Sequence, residues 1–181
     1  GILLLSWQPR KGLRITCMDI GQGDGIVLEM PEKGVFLMDC GSSNKKNITA
    51  YQLLPYLKSR GISYIDGILV SHTDNDHISG IQELMEYMTQ GLTSVKAGTL
   101  MLPQWKEKPE AYQLLEKLAK EAGIQVLYME KGNSFSCGKA KFQILAPMEG
   151  SLGDNVNEEG MVMELKFGKF KGLFTGDIGM D

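Results

Sequence analysis

The chain lacks the features that mark a disulfide-stapled, membrane-spanning or broadly nucleic-acid-coating protein. Its three cysteines (Cys17, Cys40 and Cys137) are odd in number and far apart, which argues against a disulfide framework and a zinc knuckle. No stretch reaches the roughly 18 consecutive apolar residues that a bilayer-crossing helix requires. The net charge of −3 gives no general attraction to polyanions, so such a ligand would need local basic groups or metal ions.

Histidine is scarcer still, and its placement is the most informative feature of the sequence. Both histidines of the chain fall in residues 71–77, SHTDNDH, together with two aspartates. His72, Asp74, Asp76 and His77 are therefore candidate ligands for Zn²⁺ or Mn²⁺. An apolar run precedes the segment and a helical pattern follows it, the usual place for a site in an open α/β sheet. The alternative is a polar loop in which Asp76 is a helix N-cap.

Hydrophobic periodicity predicts an α/β (α+β) fold. At 181 residues, with 43% apolar and 23% charged residues, the chain is long and apolar enough for one domain. The early predicted strands are joined by tight turns, and the later ones alternate with helices. The predicted helices are 50–60, 81–88 and 109–122. The predicted strands are 13–19, 26–30, 35–39, 66–71, 99–102, 124–129, 141–146, 161–167 and 170–175.

The first eleven residues allow two interpretations. An apolar run at residues 2–5 is followed by Trp7, Arg10 and Lys11. This pattern is typical of a membrane helix that leaves the bilayer at its interface, and equally of an ordinary first strand. We therefore predict a linker or membrane-helix exit over residues 1–11 and a folded domain over residues 12–181.

Four motifs in order carry a family resemblance. They are CMDIGQGD at 17–24, LMDCG at 37–41, SHTDNDH at 71–77 and FTGD at 174–177. Together they resemble the metallo-β-lactamase fold, and more narrowly its variant at the C-terminal end of the ComEC-type competence proteins, the membrane channel for DNA uptake. The resemblance runs from about residue 13 to 179. It implies an αββα sandwich, of which this chain holds mainly the N-terminal half, a mixed sheet flanked by helices.

The resemblance also implies a ligand set for two divalent metal ions, Zn or Mn. His72 and Asp74 would hold one ion, with Asp74 in place of the family's usual second histidine. Asp76 and His77 would hold the other, and Asp177 would bridge the two. His72, Asp76 and His77 would be the catalytic residues, with Asp76 beside the attacking water.

Two further aspartates have supporting roles in this resemblance. Asp39 would orient the ligands from behind, and Asp24, in the glycine-rich turn, would lie close to the site. The chain also departs from the family pattern, because no histidine follows His77. The stretch that matches the family's asparagine-rich segment is 155–160, where Asn157 and Glu159 are the candidates for that edge of the site.

Other departures concern the limits of the domain. Cys40 stands where the family usually has glycine, a small change that we expect to be tolerated. The family continues beyond the position of Asp181 with further strands and helices, so the resemblance implies a domain that is incomplete at its C-terminus. A half sandwich would leave one sheet face uncovered, and we expect a large exposed apolar patch there.

The implied function is metal-dependent hydrolysis of DNA phosphodiester bonds in competence DNA uptake. Small-molecule phosphodiester hydrolysis and an inactive domain that packs on a membrane channel remain as alternatives. The implied partners are single-stranded DNA, the membrane-channel part of the parent protein and the rest of the same domain, and the implied location is an extramembrane domain at the bacterial cell membrane. DNA could contact Lys45, Lys46, Lys169 and Lys171, or these could be solvated side chains. Trp105 could stack a base or be a buried anchor.

Overall fold

A computed structural model of the protein describes residues 12–32, 34–153 and 159–176. The predicted linker or membrane-helix exit over residues 1–11 lies outside this range. The helices are α1 (Leu54–Ser59, preceded by a π-helical turn at Thr49–Leu53), α2 (Asn75–Thr89) and α3 (Glu110–Glu121). The strands are β1 (Arg14–Cys17), β2 (Gly25–Glu29), β3 (Val35–Cys40), β4 (Tyr64–Leu69), β5 (Lys96–Pro103), β6 (Gln125–Met129), β7 (Ser134–Cys137), β8 (Ala140–Ala146), β9 (Val162–Phe167) and β10 (Phe170–Phe174).

The strands form two sheets. In the six-stranded sheet the order is β1-β2-β3-β4-β5-β6, with antiparallel pairing from β1 to β3 and parallel pairing from β3 to β6. The second sheet is antiparallel with the order β10-β9-β8-β7. Short connections join most antiparallel neighbours, whereas the longer segment 147–161 joins β8 to β9. The helices α1, α2 and α3 supply the crossovers that parallel pairing requires. The predicted mixed sheet with flanking helices is confirmed.

Two apolar layers hold the sheets and helices together. One lies between the helices and the six-stranded sheet and includes Leu53, Ile68, Leu84, Leu100 and Leu115. The other lies between the two sheets and includes Leu28, Phe36, Phe142, Met163 and Leu165. The six-stranded sheet is thus covered on both faces, which explains why β3 is buried at every position. No helix in the described part of the chain has both the length and the apolarity needed to cross a bilayer.

Apart from shifts of a few residues at the ends of other elements, two elements differ from the sequence prediction. Strand β7 was not predicted, because it is only four residues long and its two serines weaken the apolar signal. Helix α2 begins at Asn75 instead of residue 81. Its first turn contains Asn75, Asp76 and His77, which have low helix propensity, so the apolar stripe becomes visible only later along the helix.

The outer face of the second sheet corrects the expectation of a large apolar patch. The register places Lys141, Lys166 and Lys171 side by side on three neighbouring strands. All three are exposed, as are Ser134, Ser136 and Gln143 of the same sheet. Leu173 is a large apolar side chain exposed beside them. The expectation was wrong because these strands alternate polar and apolar residues, which suits contact with a polar medium on one face.

Cys40 is accommodated in the core by a glycine opposite it. A Cβ atom on Gly80 would lie 2.9 Å from the Cys40 Sγ, so the absent side chain at position 80 makes the room. Burial, with smaller contributions from the charges of Glu83 and Asp39, raises the pKa of Cys40 to about 12.

The buried thiol should therefore resist alkylation in the folded protein. The thiolate is the reactive species, and a raised pKa leaves only about one thiol in ten thousand ionised at pH 8. Cys17 is exposed, so native iodoacetamide labelling followed by peptide mass spectrometry should modify it at least ~100-fold faster than Cys40. Urea-unfolded protein, in which all cysteines should react, is the control. Equal native labelling of Cys17 and Cys40 would contradict the described packing.

Candidate metal centre

The histidine segment lies where two parallel strands end. Strand β3 ends at Cys40 and strand β4 at Leu69, and the two pair in parallel, so their carboxyl ends meet at the same edge of the sheet. Ser71 and His72 follow β4 after one residue, Val70. The N-cap of α2 is Asp74, whose side chain makes no capping hydrogen bond. Asp76 and His77 lie in the first turn of α2, so Asp76 is not the N-cap.

Asp39 is the buried centre of the site. Its Oδ1 accepts a hydrogen bond from Ser71 N–H at 2.7 Å, and its Oδ2 accepts one from the Ser71 hydroxyl at 2.6 Å. The same Oδ2 lies 3.1 Å from Nδ1 of His77. The backbone of Asp39 has a φ of 50°, in the left-handed region that non-glycine residues rarely occupy. Strain of this kind persists where the surroundings fix a residue, as the Ser71 amide and hydroxyl and the His77 ring do here.

The two imidazoles are buried side by side, and two carboxylates lie in front of them. The ring centroids of His72 and His77 are 3.8 Å apart. The Nε2 of His72 is 3.6 Å from Oδ2 of Asp74, and the Nε2 of His77 is 3.9 Å from Oδ2 of Asp76. The carboxylate side chains are 48% and 33% exposed, whereas both imidazoles are almost fully buried. Each histidine thus presents its Nε2 to one carboxylate at the solvent-facing side.

These two pairs fit metal coordination in part. Two ligands on one tetrahedral ion with bonds of 2.0–2.2 Å would be about 3.3–3.6 Å apart. The His72–Asp74 pair, at 3.6 Å, meets that spacing, and the His77–Asp76 pair, at 3.9 Å, exceeds it by a few tenths of an ångström. Within residues 12–32, 34–153 and 159–176, no three His, Cys, Asp or Glu side chains form a group that could hold a metal ion. The described residues therefore supply paired donors of the right chemistry, imidazole nitrogen and carboxylate oxygen, and not a complete coordination sphere.

Two glycines let the surrounding loops approach the start of α2. A Cβ atom on Gly41 would lie 2.5 Å from both the Asp76 carbonyl carbon and the His77 amide nitrogen. A Cβ atom on Gly23 would overlap the Gly41 carbonyl oxygen. This close packing places the amide of Asp24 3.1 Å from the Asp76 carbonyl oxygen, to which it donates. The Oδ2 of Asp24 is then 3.8 Å from Nδ1 of His77.

The sequence of residues 18–128 matches the profile of the metallo-beta-lactamase superfamily, and that range is more than half of the chain. The chain belongs to the metallo-beta-lactamase superfamily. Members of this superfamily are generally hydrolases, and they use divalent metals. The family expectation drawn from the four motifs is confirmed.

Three similar proteins extend this assignment. ComE operon protein 3 of Bacillus subtilis (strain 168) is 24% identical over 178 residues, which cover 91% of this chain and 22% of the relative. Recombination protein 2 of Haemophilus influenzae is 28% identical over 177 residues, which cover 97% of this chain and 20% of the relative. The chain thus spans about a fifth of the length of these curated relatives. The crystal structure of the metallo-beta-lactamase fold protein YhfI from Bacillus subtilis shares the fold, with a TM-score of 0.59 and 16% identity. The match covers 87% of this chain and 55% of YhfI.

Not every predicted site residue of this superfamily member falls in the described part of the chain. Asp177 and Asn157 lie outside it. Gly176 precedes Asp177, and a Cβ atom there would lie 2.8 Å from the Ser71 Oγ and 3.7 Å from Nδ1 of His72, so the described chain ends beside the site. The carboxylate of Glu159 accepts a hydrogen bond from Gly153 N–H. Glu159 therefore stabilises its own loop.

Trp105 is not available to stack a base. It is 1% exposed, its ring stacks on Tyr112 at a centroid distance of 5.6 Å, and its indole N–H donates to the Glu159 carbonyl oxygen at 2.9 Å. A base could reach the indole only if this core contact opened. The buried-anchor interpretation of Trp105 is the right one.

The four candidate lysines lie in two separate places. Lys45 lies against the glycine-rich turn, where its Nζ is 3.4 Å from Oδ1 of Asp19, and its neighbour Lys46 is exposed. Lys169 lies in the β9–β10 turn, at most about 23 Å along the chain from Gly176 at a rise of about 3.3 Å per residue. Lys171 is 2.5 Å from Oε2 of Glu164. Lys166 and Lys171 hold the pKa of Glu164 below its usual range.

Sequence reasoning missed Ser71 as a functional residue. Its hydroxyl contacts Asp39, lies 3.0 Å from Nδ1 of His72 and lies 3.4 Å from Nδ1 of His77. The available signal was its position, directly before the first histidine at the end of a buried strand. A hydroxyl there faces the same edge of the sheet as the two histidines.

Proposed function

We propose that this domain is a metal-dependent hydrolase of phosphodiester bonds whose substrate is DNA. The observation that supports this most is the pairing of each buried imidazole Nε2 with one half-exposed carboxylate, at 3.6 Å for His72 and 3.9 Å for His77. Carboxylate-rich ligand sets favour hard, oxygen-preferring ions such as Mn²⁺ and also accept Zn²⁺. Such ions suit substrates whose reacting group is a phosphate.

The described residues have distinct tasks in this proposal. His72 with Asp74 would hold one divalent ion and His77 with Asp76 the other, and Asp177 would connect the two. When bound, two such ions would activate a water and neutralise charge on the phosphate oxygens. The half-exposed carboxylate of Asp76 would accept a hydrogen bond from that water and orient it. Asp39 holds the imidazole of His77 from behind, so that its Nε2 stays directed at the site.

The choice of DNA rests on the relatives and on local charge. One curated relative is named a recombination protein, and the motifs resemble the ComEC-type DNA-uptake proteins. Lys45 and Lys46 beside the glycine-rich turn would contact the phosphates of a single strand near the site. Lys169 and Lys171 could contact only a strand that continues along β10. We further propose that the domain acts at the bacterial cell membrane, next to the channel part of a longer protein and the rest of its own sandwich.

Metal content and cleavage together test this function. The purified chain is loaded with Mn²⁺ or Zn²⁺, its metal content is measured by mass spectrometry, and labelled single-stranded DNA and a small chromogenic phosphodiester are supplied. We expect close to two ions per chain, and DNA cleavage that a chelator stops and that Asp76→Ala reduces to background. Glu86→Ala removes an exposed carboxylate from the same helix and should leave both results unchanged.

The outcomes separate the competing functions. Cleavage of the small phosphodiester with DNA spared would replace the proposal by small-molecule hydrolysis on the same residues. Metal content near zero, with neither substrate cleaved, would support an inactive domain that packs on a channel. Cleavage that survives in Asp76→Ala would show that the activity does not come from this site.

A further inference from the structure

We infer that Ser71 is a positioning residue through which the single carboxylate of Asp39 fixes the tautomer of both histidines. The inference deepens the proposed function, because it concerns the same site. It can be tested without DNA and without a bound metal.

Counting donors assigns the proton on His77. One oxygen of Asp39 accepts from the Ser71 amide and the other accepts from the Ser71 hydroxyl, and a carboxylate that accepts at both oxygens has no hydrogen to donate. The 3.1 Å contact between Oδ2 of Asp39 and Nδ1 of His77 therefore requires the hydrogen to be on Nδ1. The Nε2 of the neutral ring then carries the lone pair, on the side that faces Asp76.

The Ser71 hydroxyl determines, by the same reasoning, which nitrogen of His72 carries the hydrogen. The Ser71 hydroxyl has one hydrogen, and its 2.6 Å contact with Oδ2 of Asp39 uses it. Towards Nδ1 of His72, at 3.0 Å, the hydroxyl oxygen can then only accept. Nδ1 of His72 must carry the hydrogen, and its Nε2 presents a lone pair to the side that faces Asp74.

Both halves of the site thus depend on one buried acid. The chain of hydrogen bonds runs from His72 Nδ1–H to the Ser71 hydroxyl and on to Asp39, which also receives His77 Nδ1–H. Ser71 and Asp39 are both buried, so water does not compete for these contacts in the way it does at the surface. Loss of the Ser71 hydroxyl should therefore release His72 while the direct contact keeps His77 in place.

Histidine NMR tests the inference with little ambiguity, because the chain has only two histidines. Protein labelled with ¹⁵N-histidine and stripped of metal is measured at a pH about two units above the ordinary imidazole range, where the rings are neutral. Long-range proton–nitrogen spectra then report which nitrogen carries the hydrogen. A His77→Gln variant, which keeps one histidine, assigns the two sets of signals.

We expect both rings to be protonated at Nδ1 in the unmodified protein. In Ser71→Ala the His72 signals should move to a mixture of tautomers, and those of His77 should stay. Ser71→Thr, which retains a hydroxyl, should restore His72. Ser79→Ala is the control. It removes a hydroxyl on α2 that accepts a hydrogen bond from the Ser42 amide, and it should change neither ring.

Metal affinity gives a second readout. One of the two Mn²⁺ sites in Ser71→Ala should weaken about 10-fold, the low end of the effect expected for residues that orient a ligand. His72 protonated at Nε2 in the unmodified protein, or unaltered His72 signals in Ser71→Ala, would overturn the inference. Failure to cleave DNA would leave the tautomer result in place, so the two proposals can fail separately.

Discussion

Asp39→Ala is expected to lower the free energy of unfolding by about 3–5 kcal/mol. The substitution leaves the amide and hydroxyl of Ser71 and Nδ1–H of His77 buried without their acceptor. A single such loss costs about 1–3 kcal/mol, and because the three donors share one acceptor their losses do not add, so the set costs about 2–3 kcal/mol. Alanine in the left-handed backbone conformation of position 39 costs about 1–2 kcal/mol more. Urea unfolding of the metal-free protein, followed by circular dichroism, measures the difference.

Asp39→Asn separates the shape of this side chain from its charge. Asparagine tolerates the left-handed conformation and fills the same space, so we expect a smaller loss, about 1–2 kcal/mol. Its amide brings a donor to a place where the neighbours already donate, so metal affinity should still fall about 10–100-fold. If the free energy of unfolding of Asp39→Ala lay within about 1 kcal/mol of that of the unmodified protein, the central position of this carboxylate would be contradicted.

The sequence was sufficient for the order of elements because periodicity is a local property. Alternating residues predicted β9 and β10, and the stripe of Ile81, Leu84 and Met88 predicted the body of α2, because side chains repeat every two residues in strands and every 3.6 in helices. The paired donors could also be predicted, since His72, Asp74, Asp76 and His77 lie within six positions of the chain. Residues so close in sequence cannot lie far apart in space.

What escaped prediction depends on contacts between distant segments. Ser71 and Asp39 are 32 positions apart, and their hydrogen bonds exist because β3 and β4 pair in parallel with a particular register. Register also decided the outer face of the second sheet, where Lys166 and Lys171 meet Glu164. Burial of Trp105 depends on the loop that crosses it. Neither composition nor periodicity contains these distances, which the packing of the whole chain determines.

The glycines of the first two motifs show how such contacts shape the site. The sequence alone explained the glycine-rich segment 21–25 as a tight turn. In the structure Gly23 and Gly41 also allow the backbone of two loops to touch the first turn of α2. Because α2 carries Asp76 and His77, the absence of two side chains determines how near these two residues come to Asp39 and Asp24.

Gly41→Ala should accordingly be among the most damaging single-methyl changes in the chain. The added Cβ would lie 2.5 Å from backbone atoms of Asp76 and His77, which cannot rotate out of the way as a side chain can. Overpacking of this kind costs about 1–3 kcal/mol, and backbone clashes belong at the upper end. For a chain of this length, about 3 kcal/mol corresponds to a fall in melting temperature of about 6–12 °C.

Differential scanning calorimetry, with Gly12→Ala as the matched control, measures this effect. A Cβ atom added at position 12 would have no neighbouring atom within 4 Å, so the same change there should shift the melting temperature by less than about 2 °C. Because the clash pushes the start of α2 away from β3, Gly41→Ala should also weaken Mn²⁺ binding, whereas a general loss of stability would leave the affinity of the folded fraction unchanged. A melting temperature equal to that of Gly12→Ala would show that α2 and the Gly41 loop do not approach as closely as described.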